Sequence, residues 1–106
     1  MNALDLQAAS VAVENDRFRR SGLRVTLTSG IQYVKDLNGL MAKIRAYDQF
    51  NQHNDPYGEH DFGKLMWRGD KVFWKIDYYD GALEFGEDPH SPNCQRIMTV
   101  MLADEY

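Results

Sequence analysis

The chain has 106 residues, of which 43% are hydrophobic and 12% are aromatic, and its formal net charge is −4. This length and composition exclude a disordered chain, and we expect residues 1–106 to form a single domain. No apolar run approaches the roughly 20 residues of a membrane span, and the first residues lack the basic start and apolar run of a secretory signal. The lone cysteine, Cys94, excludes an intramolecular disulfide and a thiolate metal cluster. We therefore expect a cytoplasmic protein.

The amino-terminal residues predict a first helix. Asn2 is its expected N-cap, and Ser21-Gly22 is its expected end. The apolar stripe of this helix consists of Leu4, Ala8, Val11, Ala12 and Phe18. Three arginines fill the last turn, at positions 17, 19 and 20, where cations suit the helix dipole. We interpret them as a solvated helix end, with a nucleic-acid contact as the alternative.

A strand and a second helix follow. The strand is predicted from Leu23 to Ser29, because apolar and polar residues alternate there. The segment from Ile31 to Lys35 is compatible with either a turn of helix or an extended connector. The second helix has Asp36 as its N-cap and should continue to about Phe50, because its apolar residues recur at helical spacing.

The next part of the chain predicts a β-hairpin. Its strands run from Phe62 to Arg68 and from Lys71 to Tyr79, and Gly69-Asp70 between them suits a type II′ turn. One face of the second strand has Val72, Trp74, Ile76 and Tyr78, and the other has Lys71, Phe73, Lys75, Asp77 and Tyr79.

The stretch from Asp80 to Asn93 predicts a long acidic loop, because it is rich in glycine and proline turn signals. Gln95 to Ala103 then predicts a last strand, although a helix is the alternative for this segment. The order of elements indicates an α+β fold with a four-stranded, mainly antiparallel sheet and two helices packed on one face. The strand face with Trp74 should lie beneath the helices.

The other face of the sheet would then be open. We expect Phe73, Tyr79 and either Trp67 or Met66 to lie on it. An exposed aromatic patch of this kind indicates a binding surface or an interface between two copies of the chain, so a homodimer is one interpretation.

The segment 77–88 contains five acidic residues and neither lysine nor arginine. Such a surface attracts basic partners and repels phosphate backbones, so we expect a basic protein as the partner and no direct nucleic-acid contact. The predicted partner-binding residues are Asp77, Tyr79, Asp80, Glu84, Glu87 and Asp88. The alternative is a solvated loop that keeps the chain in solution.

A second group of polar residues surrounds the turn at 54–58. His53, Asp55, His60 and Asp61 are the types of side chain that hold Zn²⁺, Mn²⁺ or Mg²⁺, which would give a metal-dependent hydrolase centred on His60 and Asp61. The spacing of the two histidines matches no common metal motif, and adjacent residues in a strand point to opposite faces. We favour an interpretation without metal or other cofactor, in which Asp55 and His60 brace the turn through backbone hydrogen bonds.

We also expect the surroundings of Cys94 to raise the pKa of its thiol, which argues against covalent catalysis by this residue.

The strings NDPYGEHDFG and VFWKIDYYD, followed by IMTVMLADEY, resemble a small bacterial family of proteins with a domain of unknown function. The similarity begins near Phe18, includes LRVTLTSG and covers most of the chain, while residues 1–17 lie outside it. The family has no assigned activity, so the resemblance implies a compact domain and no catalytic residue. Its members occur mostly in proteobacterial genomes and their mobile elements, which implies a role in conflict between an element and its host.

Two functional hypotheses follow. The first is a non-catalytic acidic protein-binding module, in its most specific form a mobile-element inhibitor of a host nucleic-acid-handling defence complex, similar to an anti-CRISPR protein. The second is the metal-dependent hydrolase. We favour the first, and with it a protein that is not an enzyme.

Overall fold

The computed structural model describes residues 3–106, apart from the side chain of Leu4. Its elements in chain order are α1 (Ala3–Ser21), β1 (Val25–Leu27), a 3₁₀ turn (Ile31–Tyr33), α2 (Leu37–Arg45), β2 (Phe62–Trp67), β3 (Asp70–Tyr79), β4 (Gln95–Leu102) and a second 3₁₀ turn (Ala103–Glu105). The fold is α+β, and both helices, the hairpin and the last strand are confirmed. The N-cap assigned to Asn2 and the side chain of Leu4 lie outside the described residues. None of the helices within residues 3–106 combines the length and the apolar character that crossing a membrane requires.

The four strands form one sheet in the order β1-β4-β3-β2. β3 is antiparallel to both β2 and β4, whereas β1 runs parallel to β4. The sheet is therefore mixed, since one parallel pair joins the antiparallel majority that the sequence predicts. Parallel neighbours need a long crossover connection, and here the connection includes α2, β2 and β3. No local pattern in the sequence reveals such a distant pairing.

The hairpin turn differs in type from the prediction. Trp67 pairs with Asp70, so Arg68 and Gly69 occupy the two central positions of the turn. Both have positive φ, 48° at Arg68 and 91° at Gly69. This is the pattern of a type I′ turn, and the expected type II′ turn at Gly69-Asp70 is wrong. Both turn types suit the twist of the two strands, and the type I′ turn follows here from the register, which places Arg68 and Gly69 at the centre of the turn.

Asp36 connects this hairpin turn to the start of α2. Its carboxylate accepts a hydrogen bond from the Gly39 amide at 3.1 Å, which confirms Asp36 as the N-cap of α2. The same carboxylate lies 3.3 Å from the guanidinium of Arg68. Both side chains are about half exposed, so the ion pair orients the turn more than it stabilises the fold.

β1 is shorter than the strand predicted from Leu23 to Ser29, because it includes only Val25–Leu27. Arg24 immediately before it has a left-handed φ of 50°, which interrupts the extended backbone. Leu23 is 66% exposed as a result and does not join the apolar face.

α2 is also shorter than predicted, because it ends at Arg45 and does not continue to Phe50. The backbone carbonyls of Ile44 and Tyr47 accept hydrogen bonds from the guanidinium of Arg19, at 3.1 and 2.9 Å. These bonds satisfy carbonyls that a further helical turn would otherwise have to satisfy. A side chain 25 residues away in sequence thus contributes to the end of the helix.

The core forms on the predicted inward face of β3. Its fully or almost fully buried residues are Ile31, Leu40, Ile44, Tyr47, Val72, Trp74, Ile76, Met98 and Val100. The alternation predicted for β3 is confirmed, because its even-numbered residues from 72 to 76 are buried and the intervening ones are not. Arg19 of α1 also contacts this core, with its guanidinium carbon 5.1 Å from the centre of the Trp74 ring.

The contact between Trp74 and Gly63 gives a first prediction. The two residues face each other across β2 and β3, and a methyl group on Gly63 would lie 2.4 Å from Nε1 of Trp74. Because the buried indole would have to shift, we expect Gly63→Ala to lower the free energy of unfolding by about 1–3 kcal/mol in urea denaturation. Gly81→Ala is the control, since no atom lies within 4 Å of a methyl group placed there. Equal unfolding midpoints for the two variants would contradict this packing.

Candidate functional site

Asp55 organises the turn that precedes β2. Its carboxylate accepts hydrogen bonds from the backbone amides of Glu59 and His60, at 3.2 and 3.3 Å. Its side chain is only 7% exposed, so these bonds replace water on a nearly buried charge. The backbone bracing expected of Asp55 is therefore confirmed.

His60 joins this turn to α1. Its Nδ1 lies 3.1 Å from both carboxylate oxygens of Asp16, and its Nε2 lies 3.7 Å from a carboxylate oxygen of Asp55. The ring stacks on Phe50, with the two centroids 3.8 Å apart and the planes 4° apart. Each ring nitrogen thus faces a carboxylate of the fold, and His60 bridges α1 and the turn.

The remaining residues of the alternative metal site, His53 and Asp61, make other contacts. His53 is exposed, and its backbone amide donates a hydrogen bond to Asn51 at 2.8 Å. The carbonyl of Asp61 accepts a hydrogen bond from the Ile76 amide at 2.8 Å, next to the β2–β3 pairing. Across residues 3–106, no three His, Cys, Asp or Glu side chains are placed so that they could hold a metal ion.

A buried polar network beside His60 was not predicted. Asn15 of α1 is 0% exposed, and its Nδ2 donates to the carbonyl of Glu59 at 2.9 Å and to the hydroxyl of Tyr78 at 2.8 Å. Its Oδ1 accepts a hydrogen bond from Nε of Arg96 at 2.7 Å. Burial raises the pKa of Tyr78 and that of the carboxyl of Asp61. The network fixes α1 against β3 and β4.

The interpretation of the three arginines as a solvated helix end is wrong for Arg19. Arg17 and Arg20 are exposed, whereas Arg19 is 0% exposed. The sequence contained a signal, because Val11, Asn15 and Arg19 follow one another at four-residue spacing. They therefore share one helix face, and that face is the buried one.

The predicted partner-binding residues divide between a loop and a strand. We define the acidic loop as residues 80–88, and it contains Asp80, Glu84, Glu87 and Asp88. Asp77 and Tyr79 lie on β3, on the sheet face opposite Trp74. There the carboxylate of Asp77 lies 3.0 Å from Nζ of Lys75, so its charge is partly neutralised within the fold.

Hydrogen bonds give the acidic loop a defined shape. The Asp80 amide donates to the Phe85 carbonyl at 2.8 Å, and the Glu87 amide donates to the Tyr78 carbonyl at 3.2 Å. The carboxylate of Asp80 accepts from the amides of Ala82 and Glu84, at 3.1 and 3.0 Å. The side chain of Asp80 therefore stabilises the conformation of the loop through hydrogen bonds within it.

The tip of the acidic loop presents apolar side chains beside acidic ones. Leu83 is 49% exposed and Phe85 is 69% exposed, with Glu84 exposed between them. At the other end of the loop, the carboxylate of Asp88 accepts hydrogen bonds from the His90 amide at 2.8 Å and pairs with its ring at 3.0 Å. The ring of His90 also contacts the Gln7 carbonyl at 3.3 Å, which connects the loop to α1.

The open face of the sheet has a different character. Phe73 lies on it as expected, next to Phe62 and Tyr106. Of the two alternatives, Met66 lies on this face and is 56% exposed, whereas the indole nitrogen of Trp67 donates to the Lys35 carbonyl before α2 at 2.9 Å.

Cys94 is a poor candidate nucleophile. Burial raises the pKa of its thiol, as expected, with Arg96 opposing the shift and Glu87 and Asp88 adding to it. The thiolate that covalent catalysis requires is therefore disfavoured.

Comparison with known proteins identifies the family. The chain belongs to the family described as DUF3768, protein of unknown function, whose model matches residues 27–105. The resemblance expected from the sequence strings is confirmed at this level, although the match begins after the expected start near Phe18. No curated protein and no solved structure matches the chain.

The contact between Asp88 and His90 gives a second prediction. The hydrogen bond to Asp88 raises the pKa of His90 above 6.5. The protonated imidazole of His90 therefore stabilises the loop fully below the ordinary histidine pKa, and this stabilisation is lost as the pH rises through the raised pKa. We expect an NMR titration of the imidazole to give a pKa above 6.5, and Asp88→Asn to lower it. Glu84→Gln removes the same charge without a contact to His90, and an equal effect of both variants would contradict the local interaction.

Proposed function

We propose that this member of the DUF3768 family is a non-catalytic binding module whose acidic loop docks on a basic protein surface. The observation that supports this most is the loop tip, where Leu83 and Phe85 are exposed on either side of Glu84. Large exposed apolar side chains within a charged loop are typical of interfaces, where aromatic residues provide affinity and charges provide orientation.

The internal hydrogen bonds of the loop support the same proposal. A loop that is already held by its own backbone and by Asp80 loses little conformational entropy when it binds. The carboxylate of Asp80 is engaged with two loop amides and that of Asp88 pairs with His90, so the charge offered to a partner comes mainly from Glu84 and Glu87. We assign Asp80 a positioning role in this surface, and Asp77 and Tyr79 a place beside it on β3.

The most specific form of this proposal is an inhibitor of a host nucleic-acid-handling defence complex, in the manner of an anti-CRISPR protein carried by a mobile element. Host complexes that handle nucleic acid have lysine- and arginine-rich surfaces that bind its phosphates. An acidic loop with a fixed shape would occupy such a surface in place of the nucleic acid.

The proposal predicts different effects for the charges and the ring of the loop. We expect Phe85→Ala to weaken partner binding by about 2 kcal/mol or more, because buried aromatic anchors dominate interface energies. We expect the triple variant Glu84→Gln/Glu87→Gln/Asp88→Asn to slow association and to flatten its salt dependence. Asp80 is left intact in these variants so that its bonds to the loop amides remain, and Asp88→Asn alone shows the effect of losing the contact with His90.

The measurement is capture of the partner from a bacterial host lysate, followed by surface plasmon resonance with the purified partner at several salt concentrations. The matched control is Asp48→Asn/Asp70→Asn/Asp104→Asn, which removes the same number of exposed charges outside the loop. A partner that binds the loop triple variant and Phe85→Ala as tightly and as fast as the unaltered chain would refute the proposal.

A further inference from the structure

On the open face of the sheet, rings and lysines of β2 and β3 alternate. Phe62 lies opposite Lys75, and Lys64 lies opposite Phe73. Each phenyl ring therefore has a lysine directly across the strand pair, and the next lysine along β3, Lys71, has its Nζ 5.9 Å from the centre of the Phe73 ring. The pattern places aromatic and cationic groups side by side on one surface.

The rings on this face form one cluster with an exposed outer side. The centroids of Phe62 and Phe73 are 5.3 Å apart, and Tyr106 lies 6.0 Å from the first ring and 5.7 Å from the second. Met101, next to Phe73 on β4, is 3% exposed. Tyr106 is 75% exposed, so its ring is accessible from solvent.

The charge available on this face is positive. The carboxylate of Asp77 lies 3.0 Å from Nζ of Lys75 and neutralises the charge of that lysine. Lys64 and Lys71 are exposed, and within the described residues neither of them forms an ion pair with a carboxylate. Their two charges therefore face solvent beside the rings.

From this arrangement we propose that the open face binds single-stranded nucleic acid. Bases stack on Tyr106 and on the accessible parts of Phe73 and Phe62, and Lys64 and Lys71 contact the phosphates. Aromatic platforms beside cations are how proteins hold single strands without reading their sequence. A duplex keeps its bases paired and offers no ring faces to this platform except at its ends.

The acidic loop does not cancel this attraction. Eight residues of β3 separate Lys71 from Asp80, and these nine residue steps span about 30 Å in an extended strand. The Debye length at physiological salt is about 8 Å, so the two charged regions act independently. Our expectation that nucleic acid is not contacted followed from the acidic segment alone, whereas the charges that face the rings are lysines. The inference is also independent of the function proposed for the acidic loop.

The test is fluorescence anisotropy with a labelled oligothymidine of about 15 nucleotides, which spans a typical single-strand site, between about 50 and 200 mM salt. We expect binding that a duplex of the same length competes for poorly. Tyr106→Ala should weaken binding roughly five- to a hundred-fold, since stacking contributes about 1–3 kcal/mol per base. Lys64→Gln/Lys71→Gln should reduce the slope of log affinity against log salt by about 1.4, because each phosphate contact to a single strand contributes about 0.7.

Two controls separate this site from general effects. Tyr57→Ala removes another exposed tyrosine, 79% exposed, from the turn at 54–58, and Arg20→Gln/Lys35→Gln removes two exposed cations outside the open face. Both should bind the oligothymidine like the unaltered chain.

The proposal is overturned if the unaltered chain does not bind at the lowest salt, if the duplex binds equally well, or if the control variants weaken binding as much as the site variants. Sedimentation that shows a dimer dissociated by Tyr106→Ala would also overturn it, because the face would then join two copies of the chain.

Discussion

The fold depends on the buried guanidinium of Arg19. A buried charge is tolerated only when its hydrogen-bonding groups are satisfied, and here Nε and one terminal nitrogen donate to carbonyls at the end of α2. The other terminal nitrogen donates to Asp16 at 2.9 Å. The guanidinium carbon lies 5.1 Å from the ring centre of Trp74 and 5.5 Å from that of Phe50. One side chain of α1 therefore touches α2, the sheet and the segment that follows α2.

The same interactions position the remaining polar groups. Asp16 accepts from Arg19 and also faces His60, so the turn braced by Asp55 is attached to α1. Four residues earlier on the helix face that includes Arg19, Asn15 fixes Tyr78 and Arg96. Arg19 of α1 and Leu40 and Ile44 of α2 thereby contribute to the core on the side of the sheet that includes Trp74. The rings and lysines of the other side stay accessible, and the acidic loop projects from the end of β3. The two surfaces to which we assign partners are what this packing leaves uncovered.

The sequence predicts those parts of the fold that local patterns determine. The alternation in β3, the cap at Asp36 and the β-branched residues of β4 each identified an element correctly. The type of the hairpin turn, the end of α2 and the parallel pairing of β1 depend on atoms distant in sequence, and the local patterns gave no access to them. The burial of Arg19 was also not predicted, because a charged side chain suggests a surface residue. Only the helical spacing of Arg19 from Val11 indicates that it is buried.

The two candidate surfaces were also predicted from the sequence only in part. The acidic loop is contiguous in sequence, so its residues could be named in advance, although the internal engagement of Asp80 could not. Lys71 and Lys75 were visible in the alternation of β3, whereas the positions of Lys64 and Lys75 opposite the phenyl rings depend on the register between β2 and β3. That register follows from the turn at Arg68 and Gly69, which the sequence placed one residue too far along.

The most direct test of this account is the stability of Arg19→Met compared with that of Arg17→Met, measured by chemical denaturation and by the near-ultraviolet circular dichroism of the tryptophans. Arg17 is the matched control, because its side chain is 69% exposed and its ion pair among residues 3–106 is with Glu14 of the same helix. We expect Arg19→Met to lose about 3–5 kcal/mol together with the tryptophan signal, and Arg17→Met to change by about 0.5 kcal/mol or less. If both variants unfold at the same denaturant concentration with an unchanged tryptophan signal, the guanidinium of Arg19 does not organise the fold.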